Sequence, residues 1–197
     1  MAVVQEVAPA RPAERPGFEI VPRRGLPAVA AVVVALVVSI AGNWPWALDF
    51  FHVVGGGMWT ALDLFMGFVV GPVMRRLSVP ARVELTTRLM PKMLLIMPTL
   101  VTMTLASGFQ LARANGMLSG SYGRHGWVVA SMVVVAVMAM VALALLQPAN
   151  VAVLFELRRP QPDPAIVQAL MRRFVYAAGV TGMMQVATLV IMTRLAT

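Results

Sequence analysis

Between Ala47 and Met74 the chain carries an apolar run long enough to cross a bilayer, and inside that run stand His52 and Asp63. A stretch of this length and composition reads as a transmembrane helix. At 100° per residue, His52, Gly55, Gly56, Trp59, Asp63 and Gly67 fall on one helical face, while Val, Leu and Phe mostly take the others. Such a polar and small-residue seam faces protein. An ionisable side chain near the bilayer centre costs several kcal/mol unless it meets a packed interior or water, so Asp63 is a candidate functional residue from its position alone.

Composition extends that reading to the whole chain. Of 197 residues, 59% are hydrophobic and 12% charged, and the mean hydropathy is +0.81, the profile of a polytopic membrane protein. The net charge of +8 does not point to nucleic acid. Its arginines stand in short clusters beside apolar runs, as topology signals and anionic-lipid contacts do. The absence of cysteine excludes disulfides, thiolate metal sites and thioether-linked haem. A metal or haem would have to use His, Met, carboxylate or Lys.

The expected fold is all-α: five transmembrane helices, a four-helix bundle of spans 2–5 preceded by one extra span. Residues 1–25, with Pro9, Pro12, Pro16 and Pro22 among Arg and Glu, form a polar cytoplasmic tail that cannot bury a core. The transmembrane region is then 26–197, with spans at about 27–43, 47–74, 84–114, 126–157 and 166–193. Arg23-Arg24, the short apolar core after it and Ser39-Ile40-Ala41 also resemble a cleavable signal peptide. Pro91 and Pro98 should kink the third span unless Pro91 ends an interfacial segment. No convincing internal repeat stands out.

Charge sets the orientation. With the N-terminus in the cytoplasm and the C-terminus outside, thirteen Lys and Arg residues lie inside and three, Arg113, Arg124 and Arg194, outside, a strong positive-inside bias. Trp44, Trp46, Tyr122 and Trp127 then gather at the outer interface, where amphipathic aromatics anchor helix ends. The expected location is the bacterial inner membrane, multi-pass.

The same topology puts both histidines near the outer surface. His52 and His125 are candidate axial ligands of a b-type haem or members of a copper site. The plainer alternatives are a His52 that donates to a backbone carbonyl and a His125 that is an interfacial loop residue. Gly55-Gly56-Gly57 suits either a flat cofactor or close helix packing, and Gly55, Gly56 and Gly67 are the candidate packing positions. For Asp63 the expected use is structural hydrogen bonding, with Asn150, Gln147, Gln110, Thr102 or Thr104 as partner, and the sharper alternative is a proton relay or ion pathway; Asn150 and Gln147 complete the set of intramembrane polar residues. Among the 16 methionines, Met90, Met93 and Met97 share a face, and Met58 and Met132 are candidates to approach the outer histidine region. Scattered thioethers fix no coordination geometry, and methionine fills cores without any ligand role. No nucleotide loop, nucleophile elbow, zinc motif or pair of catalytic carboxylates is present.

From His52 onward the chain resembles small bacterial integral-membrane families related to the CopD copper-resistance domain and to HemJ. The resemblance rests on His52-Val-Val-Gly-Gly-Gly-Met-Trp59, on Gly71-Pro72 followed by Arg75-Arg76, on Arg88-Leu-Met-Pro-Lys92 leading to Ala106-Ser-Gly108, and on Gly126-Trp127. It implies a four-helix bundle and, for the HemJ branch, b-type haem and protoporphyrinogen oxidation, with His52 matching the family's first-helix histidine. The family's lysine after the Gly-Trp motif has no counterpart, since this helix continues Val128-Val129-Ala130-Ser131-Met132. That departure argues against HemJ-type catalysis. Two functions are therefore expected in competition. One is a non-catalytic accessory or assembly subunit of a larger inner-membrane complex, respiratory or other electron-transfer complexes being the candidates, partnered by the bilayer and other membrane subunits. The other is a protein that binds b-type haem or handles copper through His52 at the outer side.

Overall fold

A computed structural model describes residues 19–196; most of the expected tail, 1–18, lies outside them. The described residues form five long helices and no strand: α1 (Leu26–Ala41), α2 (Pro45–Arg76), α3 (Val79–Ala114), α4 (His125–Arg158) and α5 (Pro164–Ala196). Each is long and apolar enough to cross a membrane, the first when taken with its preceding turn as Arg23–Ala41. Four begin with a proline in the first turn, Pro27, Pro45, Pro80 and Pro164, where a missing N–H breaks no helical bond. α3 begins at Val79, earlier than the span expected near Glu84. Its polar first turns stay helical, with Thr86 Oγ1 donating to the Arg82 carbonyl at 2.8 Å and Arg88 paired to Glu84 one turn away at 2.7 Å. Pro91 and Pro98 lie inside this one continuous helix.

Proline shapes α2 and α4 differently. Each contains a π-helical segment, Phe65–Val70 and Ala142–Leu146, followed by Gly71-Pro72 and Gln147-Pro148. The Gly71 N–H reaches back to the Met66 carbonyl and that of Gln147 to Ala142, five residues instead of four. A proline ring clashes with the carbonyl four residues earlier, here Phe68 and Ala144. Widening the turn takes that carbonyl out of the way, and the helix continues past the proline. α2 therefore runs through Pro72 to Arg76, two residues past the expected end at 74.

Glycine sets how closely the helices approach. α2 and α5 run antiparallel and pack backbone against backbone: a Cβ on Gly67 would lie 2.7 Å from the Gly179 Cα, and one on Gly182 would lie 2.9 Å from Leu64. Gly71 meets the Val175 side chain in the same register. α2 packs on α3 at Gly55, where an added Cβ would sit 2.6 Å from Thr104 Oγ1. At Gly56 a Cβ would make only ordinary contact, 3.4 Å from Thr104 Cγ2, and at Gly57 it would meet nothing. α4 packs on α5 and, through its second half, on α3, while α1 lies along α3. α1 and α3 run parallel: Gly25 abuts the Leu95 side chain, and farther along Gln110 Nε2 donates to Asn43 Oδ1 at 3.0 Å. Asn43 takes a left-handed φ of 47° in the α1–α2 turn, a conformation asparagine tolerates.

Two apolar clusters result. One, towards the arginine-bearing ends, joins Met66, Met74, Met90, Val153, Leu154, Met171 and Phe174, with Ile20 packed against it. The other, towards the tryptophan-bearing ends, joins Leu36, Trp59, Leu100, Met103 and Met138. The buried methionines are thus core filler, a use their flexible thioethers suit.

Gly67→Leu should destabilise the protein by about 1–3 kcal/mol, the usual cost of overpacking, read as a lower melting midpoint in detergent. Gly57→Leu should leave the midpoint unchanged.

Candidate functional site

The polar seam of α2 meets a different neighbour at each end. Near the N-terminal end of α2, His52 lies over Gly108 of α3, where a Cβ would fall 2.5 Å from the imidazole. Its Nδ1 sits 2.9 Å from the Thr104 carbonyl, and since a carbonyl can only accept, Nδ1 carries the proton. Thr104 and Ser107 also turn their hydroxyls back onto their own helix, to Leu100 at 2.8 Å and to Met103 at 2.5 Å. α3 thus offers His52 one backbone acceptor and a flat glycine surface.

Asp63, in the middle of α2, is 1% exposed. Its partner is on α5: Gln185 Nε2 donates to Asp63 Oδ2 at 3.0 Å, and the Trp59 side chain one turn away also hydrogen-bonds to the carboxyl. None of the expected partners takes this role. Gln110 is engaged with Asn43 at the helix end, Thr104 with Leu100, and Thr102 is exposed. Asn150 is 2% exposed with its Oδ1 unpartnered, and Gln185 Oε1 is likewise buried without a donor. Gln147 is half-buried. Gln185 had one signal in the sequence: it is the only amide side chain between Tyr176 and Arg194. What was missing was the antiparallel register that brings it to Asp63.

His125 starts α4 with its Nδ1 buried and unpartnered. The principal packing of α2 is with α3 and α5, and that of α4 with α5 and α3, and no hydrogen bond links the two histidines among the described residues. The donor set at His52 is accordingly one imidazole. Among the described residues no three His, Cys, Asp or Glu side chains converge on a possible ion, and Met58 and Met132 are exposed at 49% and 42%. Nor do the glycines shape a cofactor cradle. The space at Gly55 is filled by Thr104, that at Gly108 by the His52 ring, and Gly57 opens outward. The glycine surfaces beside His52 are therefore occupied by the chain's own side chains.

The α4–α5 loop has its own buried acid. Glu156, 6% exposed, pairs with Arg159 at 3.0 Å and accepts the Asp163 backbone N–H at 3.1 Å. It joins the end of α4 to the start of α5, a loop-fixing role.

Gln185→Leu should cost about 1–3 kcal/mol by removing one of the donors to a buried carboxyl. Asp63→Leu combined with Gln185→Leu should recover part of that loss. A double-mutant cycle by SDS unfolding measures the coupling, and strictly additive losses would count against the bond.

The chain matches no family model, no curated protein and no solved structure, so the functional reading rests on this geometry.

Proposed function

We propose that this chain is a non-catalytic accessory or assembly subunit of a larger bacterial inner-membrane complex, with α2–α5 as a four-helix membrane bundle and α1 as an added span. One observation carries the reading. The two residues best suited to chemistry inside the apolar helices each serve a helix–helix contact, His52 through Nδ1 to α3 and Asp63 through Gln185 to α5. Large apolar side chains meanwhile cover the outside, Leu143 at 71% exposure and Met140 at 64% among them. A soluble monomer rarely carries so much exposed apolar surface, and lipid or other membrane subunits would cover it.

The distribution of charged and aromatic residues supports a cytoplasmic N-terminus. Trp44, Trp46 and Trp127 are exposed at the end where Arg124 Nη1 donates to the Leu195 carbonyl at 3.1 Å. Arg75, Arg76, Arg158 and Arg159 lie at the opposite ends of their helices. Reporter fusions after Pro80 and Pro162 should report cytoplasm, and those near Asn115 and at Thr197 the outer side. An outer signal at Pro80 would overturn this orientation.

A second reading, haem or copper held through His52, has one point in its favour. Metal-binding histidines usually donate their other ring N–H to a carbonyl or carboxylate, as His52 Nδ1 does here. The same bond equally serves to tie α2 to α3. Gentle-detergent purification of the tagged chain from its own membranes separates the readings. The expected result is a colourless preparation with other membrane subunits in fixed stoichiometry. A lone monodisperse chain would count against the accessory role, and a Soret band lost on His52→Ala would replace it with the haem reading.

A further inference from the structure

The α2–α5 crossing leaves a cleft on its outward flank. Gly67, Gly71 and Gly179 supply no side chains there, and the space above them forms a cavity of about 670 Å³, within the size range of small-molecule sites. The walls are apolar, with Phe68, Val180 and Met183 at the rim all more than half exposed. One end is not apolar. Arg75 from α2, Arg82 from α3 and Arg172 from α5 line the same cavity, so three helices each bring an arginine to it.

These three positive charges lack a counter-charge among the described residues. The nearby carboxylates are engaged elsewhere: Glu84 pairs with Arg88, Glu156 with Arg159, and Asp163 accepts the Ala165 N–H. Arg82 is the most constrained of the three. Its Nη2 donates to the Leu77 carbonyl at 3.1 Å, which holds the guanidinium in place, while its Nε is buried without an acceptor. A buried charged donor left unpaired is costly, and an anionic oxygen in the cleft would remove that cost.

We propose that this cleft binds one anionic glycerophospholipid of the inner leaflet, its phosphate held by Arg82, Arg75 and Arg172 and an acyl chain lying over Gly67, Gly71 and Gly179. The proposal rests on the membrane reading above. It adds a particular lipid class at a particular site. A basic cluster where an apolar cleft opens matches a molecule that is charged at one end and hydrocarbon at the other. A free phosphate would satisfy the arginines and leave the cleft bare.

The test uses the full chain reconstituted in phosphatidylcholine nanodiscs with and without phosphatidylglycerol, followed by native mass spectrometry and thermal unfolding. Phosphatidylglycerol should stay bound and raise the melting midpoint. Replacing Arg75, Arg82 and Arg172 together by Gln should weaken its retention roughly a hundredfold, taking about fivefold for each basic residue beside an anionic lipid. Arg113→Gln, at the far end of α3, should not. Met183→Trp should reduce retention by narrowing the cleft with all three arginines in place. Equal retention by the wild type and the triple variant would overturn the proposal, as would full stabilisation by inorganic phosphate alone in detergent. Carbonate extraction of the membranes keeps the two readings apart: a chain that extracts refutes membrane insertion, and a chain that stays embedded without preferring phosphatidylglycerol refutes only the lipid site.

Discussion

The close approach of α2 to its neighbours is the constraint on which the other features depend. At Gly67 and Gly179 the two backbones touch with no side chain between them, and Gly55 leaves room for the Thr104 and Met103 side chains of α3. Between apolar helices in lipid there is little hydrophobic force to drive association, so packing contacts and interhelical hydrogen bonds have to supply it. With α2 held this tightly on both sides, Asp63 reaches Gln185 and His52 reaches the Thr104 carbonyl. Helices held a side chain farther apart would leave both groups without these partners.

The same crossing opens space on its other flank. Gly67, Gly71 and Gly179 line the cleft beside this contact, and the π-helical turn at Phe65–Val70 carries α2 past Pro72 so that Arg75 also lines it. Had Pro72 ended the helix, Arg75 would lie in a loop. Buried packing on one side and the cleft on the other are thus two consequences of one short sequence, Gly67 to Arg75. The proposed lipid would fill the cleft and pair with the charges, reducing the cost of leaving Arg82 Nε unsatisfied.

Much of this was legible in the chain. Continuous apolar runs bounded by prolines and arginine pairs mark five helices, because a segment that must satisfy its own backbone in an apolar medium has few alternatives to a helix. The seam from His52 to Gly67 was visible from helical periodicity, which is a property of one helix alone. The helix ends were less legible. α3 takes in the polar turns from Val79, since local pairs such as Arg88–Glu84 hold them helical despite their low hydropathy. Continuation of α2 and α4 past their prolines depends on π turns that no residue type announces.

Partner identity was beyond the reach of the sequence. Asp63 had five plausible neighbours by depth and chemistry, and the one it uses, Gln185, was not among them. Hydropathy gives each helix a depth and a direction but no rotation and no neighbour, and a hydrogen bond requires both. The five long apolar helices, the polar face of α2 and the unequal distribution of charge between the loops follow from the chain alone, because each depends on residues close together in it. The tertiary structure decided that Gly67 meets Gly179, that His52 lies on Gly108, and that arginines from three separate helices end at one cleft. These depend on rotation and register between helices, which are set only when side chains far apart in sequence pack against each other.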